Sequence, residues 1–184
     1  MTVEQAIKNR RSIRKYQGIK VPSSLIKKLL TAAQLAPSAY NAQPSKFIVI
    51  TDKKIRQKLQ DNNIFKHSFV YSAPLLIICC ANPEVYPKEK FEPVYSNSAE
   101  IGGDVGAVRD LSISTQNLVL MATELGLGTC YIGIVNRNKI KEILNIPKNY
   151  VLPFVITVGY PDEKPKPSSR KPLKEIITIC KNLK

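Results

Sequence analysis

The chain has 184 residues, 43% of them hydrophobic and 23% charged, which is enough for one domain with a real core and unlike a disordered chain. Twenty-eight basic against 14 acidic side chains give a net charge of +14, favouring anionic partners: a phosphorylated cofactor, nucleic acid or an acidic membrane surface. The longest strongly apolar run, Pro74 to Ala81, is too short to span a bilayer, and no basic-then-apolar leader opens the sequence, so a cytoplasmic protein is expected.

Residues 3–9 have helical spacing, with Val3, Ala6 and Ile7 on one face. This helix delivers Arg10-Arg11-Ser12-Ile13-Arg14 at its C-terminal end. Guanidinium forks match a phosphate in charge and shape, and a neighbouring hydroxyl adds a donor. The alternative is a solvated basic loop. Pro22-Ser23-Ser24 opens a second helix carrying Leu25, Ile26, Leu29, Leu30, Ala33 and Ala36, which stops before Pro37 because the residue preceding proline disfavours helix. A small, polar loop follows, Pro37-Ser38-Ala39-Tyr40-Asn41-Ala42-Gln43-Pro44. A strand is expected at 46–51, a helix at 53–60 and a buried strand at 75–81.

Residues 82–97 hold three prolines with Tyr86, Phe91 and Tyr95, and read either as a binding element or as a surface excursion. The longest helix should run over 104–125, where Val105, Val108, Leu111, Thr115, Leu118, Val119, Ala122 and Leu125 form a stripe suited to a core or a dimer. Gly126 and Gly128 end it; a strand at 130–135, a helix at 137–144 and a strand at 153–159 follow. Pro161, Pro165 and Pro167 stiffen the next stretch, which leads through Arg170 to a β-type segment at 173–179. That arm suits exchange with a partner subunit; the alternative is a strand on its own sheet edge. Nothing repeats, and residues 1–184 read as a single domain.

Cys79, Cys80, Cys130 and Cys180 lack metal-ligand spacing, and the adjacent pair in an apolar run suits buried thiols. With His67 as the single histidine, neither a multi-histidine metal site nor a side-chain catalytic group is assigned.

In series, Arg10-Arg11-Ser12-Ile13-Arg14, the 37–44 loop, Gly126-Leu127-Gly128-Thr129-Cys130-Tyr131-Ile132-Gly133, Gly159-Tyr160-Pro161 and Arg170 resemble the FMN-dependent nitroreductase family over nearly the whole chain. The resemblance implies an α+β fold of three layers, α/β/α, around a mixed, mainly antiparallel sheet. It further implies a homodimer, with the C-terminal strand exchanged and the flavin at the subunit interface. Arg10, Ser12 and Arg170 would hold the FMN phosphate, with Arg11 beside them, and Arg14 would lie near the flavin N1/C2 oxygen. Pro37, Ser38, Ala39 and Asn41 would reach the flavin from the other subunit. Tyr131, Ile132 and Gly133 would bring backbone groups to the ring, with Gly126 and Gly128 allowing the close approach, and Gln116 is a candidate polar contact.

Two positions depart from the family pattern. Ser168 replaces a basic residue often found there, leaving Lys166 or Lys171 to compensate, and Ser45 follows Pro44 where an aromatic is commonest. The implied activity is ping-pong hydride transfer from NADH or NADPH through flavin N5 to nitroaromatic, quinone or related small-molecule acceptors. Alternatives are a same-fold enzyme for dehalogenation, flavin cleavage or a deazaflavin donor, and a basic nucleic-acid-binding protein. The last is disfavoured, as is membrane association, because the lysines are scattered.

Overall fold

A computed structural model describes residues 1–87 and 103–180. Six helices, α1 (Val3–Asn9), α2 (Ser23–Gln34), α3 (Lys53–Asp61), α4 (Phe69–Ser72), α5 (Gly103–Glu124) and α6 (Arg137–Ile143), accompany four strands, β1 (Ser45–Ile50), β2 (Leu75–Ala81), β3 (Gly128–Ile132) and β4 (Val151–Gly159). The strands form one sheet in the order β1-β2-β4-β3. All three pairings are antiparallel, and a parallel contact occurs as an isolated bridge between Ser12 and Thr129.

The central strand β2 explains the layering. All seven of its residues are buried, because both faces of the sheet are covered. Successive side chains point to opposite faces. Leu75, Ile77, Cys79 and Ala81 enter one core with α2 and α5, through Leu29, Ala33, Leu111 and Leu118. Leu76, Ile78 and Cys80 enter the other with α3, α4 and α6, through Leu59, Val70 and Ile140. The result is the expected α+β arrangement, a sheet with helices on both sides.

Local chemistry sets the helix ends. Thr2 accepts from the Gln5 N–H while the Gln5 side chain accepts from the Thr2 N–H, closing a capping box on α1. Asp52 and Asn136 accept from Ile55 and Lys139 at the starts of α3 and α6. After α5, Gly126 takes a left-handed φ of 73°, the usual conformation of a glycine just beyond a helix.

Two expected elements differ. The strand at 130–135 starts two residues earlier and ends at Ile132; Val135 instead bridges Phe65. Residues 173–179 are not a strand within this chain: Leu173–Glu175 form a single 3-10 turn. A strand needs a ladder partner, and none of the described strands pairs with this segment. Its Leu173, Ile176, Ile177 and Ile179 are 49–72% exposed. Within 82–97, Pro83–Val85 form a 3-10 turn capped by Asn82; residues 88–97 lie outside the described residues.

Candidate functional site

The arginine motif is laid along the outer edge of β3. The Ile13 N–H donates to the Thr129 carbonyl at 2.9 Å, and Ser12 bridges the same residue. Ile13 is buried against Gly128: a Cβ on that glycine would stand 2.6 Å from Ile13 Cγ1 and 2.8 Å from its Cβ. Gly128 therefore lets the motif approach the sheet, a task distinct from the cofactor approach expected of it.

A second set of bonds brings the C-terminal stretch to the motif. The Gln17 N–H donates to the Tyr160 carbonyl at 3.0 Å, and Asp162 N–H to Lys15 O at 3.0 Å. The Glu163 carboxylate accepts from the backbone N–H groups of Arg14 and Lys15. Behind the contact, the Tyr16 hydroxyl lies 2.7 Å from both the Ile13 carbonyl and Thr157 Oγ1. Burial raises the Tyr16 pKa well above the usual phenol value, so the residue stays a neutral hydrogen-bonding strut.

The two stretches enclose a pocket of about 360 Å³ lined by Lys8, Arg10, Arg11, Ser12, Arg14, Lys166, Ser168 and Arg170, with Ile7, Pro165 and Pro167. Five of these, Arg10, Arg11, Ser12, Arg14 and Arg170, are candidates from the sequence. Among the described residues no carboxylate lines it. Arg11 donates to the Lys8 and Arg10 carbonyls at 2.7 Å, and Arg170 to the Ser168 and Ser169 carbonyls at 3.2 and 2.9 Å. Among the described residues these guanidinium groups form no ion pair, and the neutral acceptors leave most of their donors free for an anion. Lys166, rather than Lys171, joins the lining beside Ser168. A dianionic phosphate fits this donor set.

Tyr131 and Ile132 end β3, the strand that carries the arginine motif, and Gly133 follows it. The Tyr131 ring meets Phe154 edge-on, with centroids 5.0 Å apart. Its hydroxyl is raised in pKa chiefly by burial, against a lowering hydrogen bond with Thr115 on α5. Ile132 is buried, whereas an added Cβ at Gly133 would meet nothing within 4 Å, so the backbone there is open to approach. Gln116 is exposed on α5.

The 37–44 loop lines a different cavity, of about 240 Å³, with Pro37, Ser38, Gln43, Pro44, Phe47, Asp110 and Ser114 among its walls. The two cavities share no lining residue. The loop is backbone-strained: Tyr40, Asn41 and Gln43 have φ of 54°, 54° and 49°. Non-glycine residues there cost on the order of 1–3 kcal/mol each and persist where the surroundings hold them. Ser38 Oγ accepts from the Gln43 N–H at 2.9 Å, and Asp110 Oδ2 accepts from the Ala39 N–H at 2.9 Å.

Sequence reasoning missed Asp110, Tyr86 and Glu163. The available signal for Asp110 was an acid on the core-facing side of α5, between buried Ala107 and Ser114. Nothing local marks Glu163, whose role arises only when residues 149 positions apart meet.

Cysteine chemistry is absent from this arrangement. Cys79, Cys80 and Cys130 are buried free thiols. Burial pushes Cys80 up to about 11 and raises Cys79 and Cys130 as well, which disfavours a thiolate. Among the described residues no cluster of His, Cys, Asp and Glu is placed to hold a metal, and no helix is long and apolar enough to cross a membrane.

Comparison with known proteins gives a consistent picture. The model of the nitroreductase family matches residues 7–64 and 62–160. A Methanothermobacter thermautotrophicus protein named for NADH dehydrogenase/NAD(P)H nitroreductase activity is 37% identical over 170 residues, 90% of this chain and 80% of that protein. The FMN reductase [NAD(P)H] of Bacillus subtilis is 30% identical over 178 residues, 92% of this chain and 69% of that protein. A solved Desulfovibrio desulfuricans structure, called a nitroreductase in complex with FMN, superposes with a TM-score of 0.81 at 26% identity, covering 96% of this chain and 95% of that one.

Proposed function

The chain belongs to the nitroreductase family, and from that premise we propose that it is an FMN-dependent oxidoreductase drawing on NADH or NADPH to reduce nitroaromatic, quinone or related small-molecule acceptors. The observation that carries this reading is the basic pocket between residues 8–14 and 165–170, an anion site without an anionic side chain of its own.

FMN, when bound, would supply the redox chemistry that passes reducing equivalents from a nicotinamide to the acceptor. The protein's work is binding, orientation and electrostatics. Arg10, Ser12 and Arg170 hold the phosphate, with Arg11 and Lys166 adding charge; Arg14 takes the pyrimidine edge, where a cation favours added negative charge. The backbone of Tyr131, Ile132 and Gly133 would hold the ring, and Gln116 would offer a polar contact from α5. Pro37, Ser38, Ala39 and Asn41 complete the site from a second copy of the chain. Pro37 and Ser38 line a cavity of this chain that shares no residue with the basic pocket, which supports a site completed across an interface. No side chain is asked to act as an acid or base.

The test is an absorbance spectrum of the purified protein, titrated with FMN and then with NADH or NADPH. One FMN per subunit, bleached by either nucleotide and recoloured by a quinone or nitroaromatic, is the expected result. Bound flavin that neither nucleotide bleaches would remove the donor assignment. Protein that takes up no flavin would overturn the reading.

A further inference from the structure

Resting on that reading, we propose that Asp110 is the positioning residue that holds the 37–44 loop in its flavin-facing form. Asp110 is 3% exposed on α5, and its carboxylate collects three donors from three parts of the chain. Oδ2 accepts from the Ala39 N–H and from the Tyr86 hydroxyl, each at 2.9 Å; Oδ1 accepts from Arg109 Nε at 3.0 Å.

A buried carboxylate is costly and is kept where its hydrogen bonds do something specific. Here one oxygen grips the amide immediately before the three left-handed residues, Tyr40, Asn41 and Gln43. Bonds within the loop, from Asn41 N–H to Ser38 O and from Ala42 N–H to Ala39 O, shape it but do not fix it to the sheet or helices. The Ala39–Asp110 bond fixes it to the longest helix of the molecule, which is itself anchored in the core through Leu111 and Leu118. Tyr86 locks the carboxylate from the other side: it is 4% exposed, and burial with the neighbouring carboxylate raises its pKa, keeping it a donor. Ser114, one turn along α5, donates to the Ala33 carbonyl at 2.7 Å, so this helix face ties down both the loop and the helix leading into it.

The geometry separates a positioning role from a merely stabilising one, because it predicts a local effect. Hydrogen exchange of the flavin-free protein, read over peptides covering residues 37–44 and 111–124, is combined with FMN titration. In Asp110→Ala the 37–44 amides should exchange about tenfold faster or more while 111–124 is unchanged, and the FMN dissociation constant should rise about tenfold, the scale of one charged hydrogen bond. Asp110→Asn keeps an acceptor for the Ala39 N–H and should recover part of both effects; it also carries the test if the alanine variant does not fold. Tyr86→Phe removes a donor but spares the Ala39 bond, and should leave 37–44 protection within about twofold. Wild-type-like exchange and FMN affinity in the Asp110 variants, or loosening spread equally over both peptides, would overturn the positioning role alone. Wild-type protein that binds no FMN would overturn the cofactor reading and this role with it.

Discussion

Arg10 and Arg170 reach one pocket from opposite ends of the sequence, so each tests the other. Replacing either with Ala should weaken FMN binding by about 1.5–3 kcal/mol, the worth of a charged hydrogen bond, as read by flavin fluorescence titration. Unchanged affinity in both variants would show that the phosphate lies elsewhere. Gly128→Ala attacks the same site from behind. Its new Cβ would meet Ile13 at Cβ as well as at Cγ1, where a side chain cannot swing away. Overpacking of that kind costs about 1–3 kcal/mol, and here it pushes the arginine motif off β3, so thermal stability and FMN affinity should fall together. A variant that loses stability alone would uncouple Gly128 from the site. The arginines were legible in sequence because charge and spacing are local properties. The task of Gly128 was not, because it depends on which residue the fold lays across it, and the same holds for Glu163.

At the scale of elements, legibility followed burial. β2 reads as a continuous apolar run because both its faces are covered, and α5 announces itself by its stripe, of which Leu111, Thr115, Leu118, Val119 and Ala122 are buried. Val105, counted in that stripe, is 58% exposed, since apolar spacing does not tell a core from a surface awaiting a partner. Residues 173–179 form no strand within this chain for a related reason: their composition is β-like, but a ladder is a property of two segments. Caps are easier, being set within four residues. Asp52 caps α3 through the Ile55 N–H, and chiefly this backbone hydrogen bond holds its carboxyl below the usual aspartate value. A carboxyl whose folded pKa is depressed contributes stability that is complete above its unfolded pKa, near 3.9, and is lost as pH falls through the lower folded value. Asp52→Ala should therefore lower the urea midpoint at pH 7, with the gap to wild type closing as the pH is taken below about 4. A gap independent of pH would mean that the cap works without its charge.

At the scale of the whole molecule, two stretches among the described residues leave apolar side chains in water. Val3 on α1 and Leu35 just beyond α2 are 73% and 77% exposed and line a groove of about 400 Å³ with Ala32, Leu120 and Met121. The arm adds Leu173, Ile176, Ile177 and Ile179, also exposed. Covering one such side chain is worth roughly 1.5–3 kcal/mol, so leaving all of them in water is hard to reconcile with an isolated chain. The second copy proposed above would supply the cover, and would also account for the loop bearing Pro37 and Ser38 facing a different cavity from the arginines. Two changes then separate the contributions. Leu35→Lys places a charge in the middle of the groove, and ending the chain after Pro172 removes the arm while leaving Arg170 in place. Wild type should sediment at twice the mass of the 20.6 kDa chain. Both variants should shift toward monomer and lose FMN in step with the dimer, because each site would need residues from two subunits. Flavin retained at full affinity by a monomeric variant would place the loop and the arginines in one subunit's site. A truncated protein that stays dimeric and yellow would instead confine the interface to the helical groove and relieve the arm of any part in assembly.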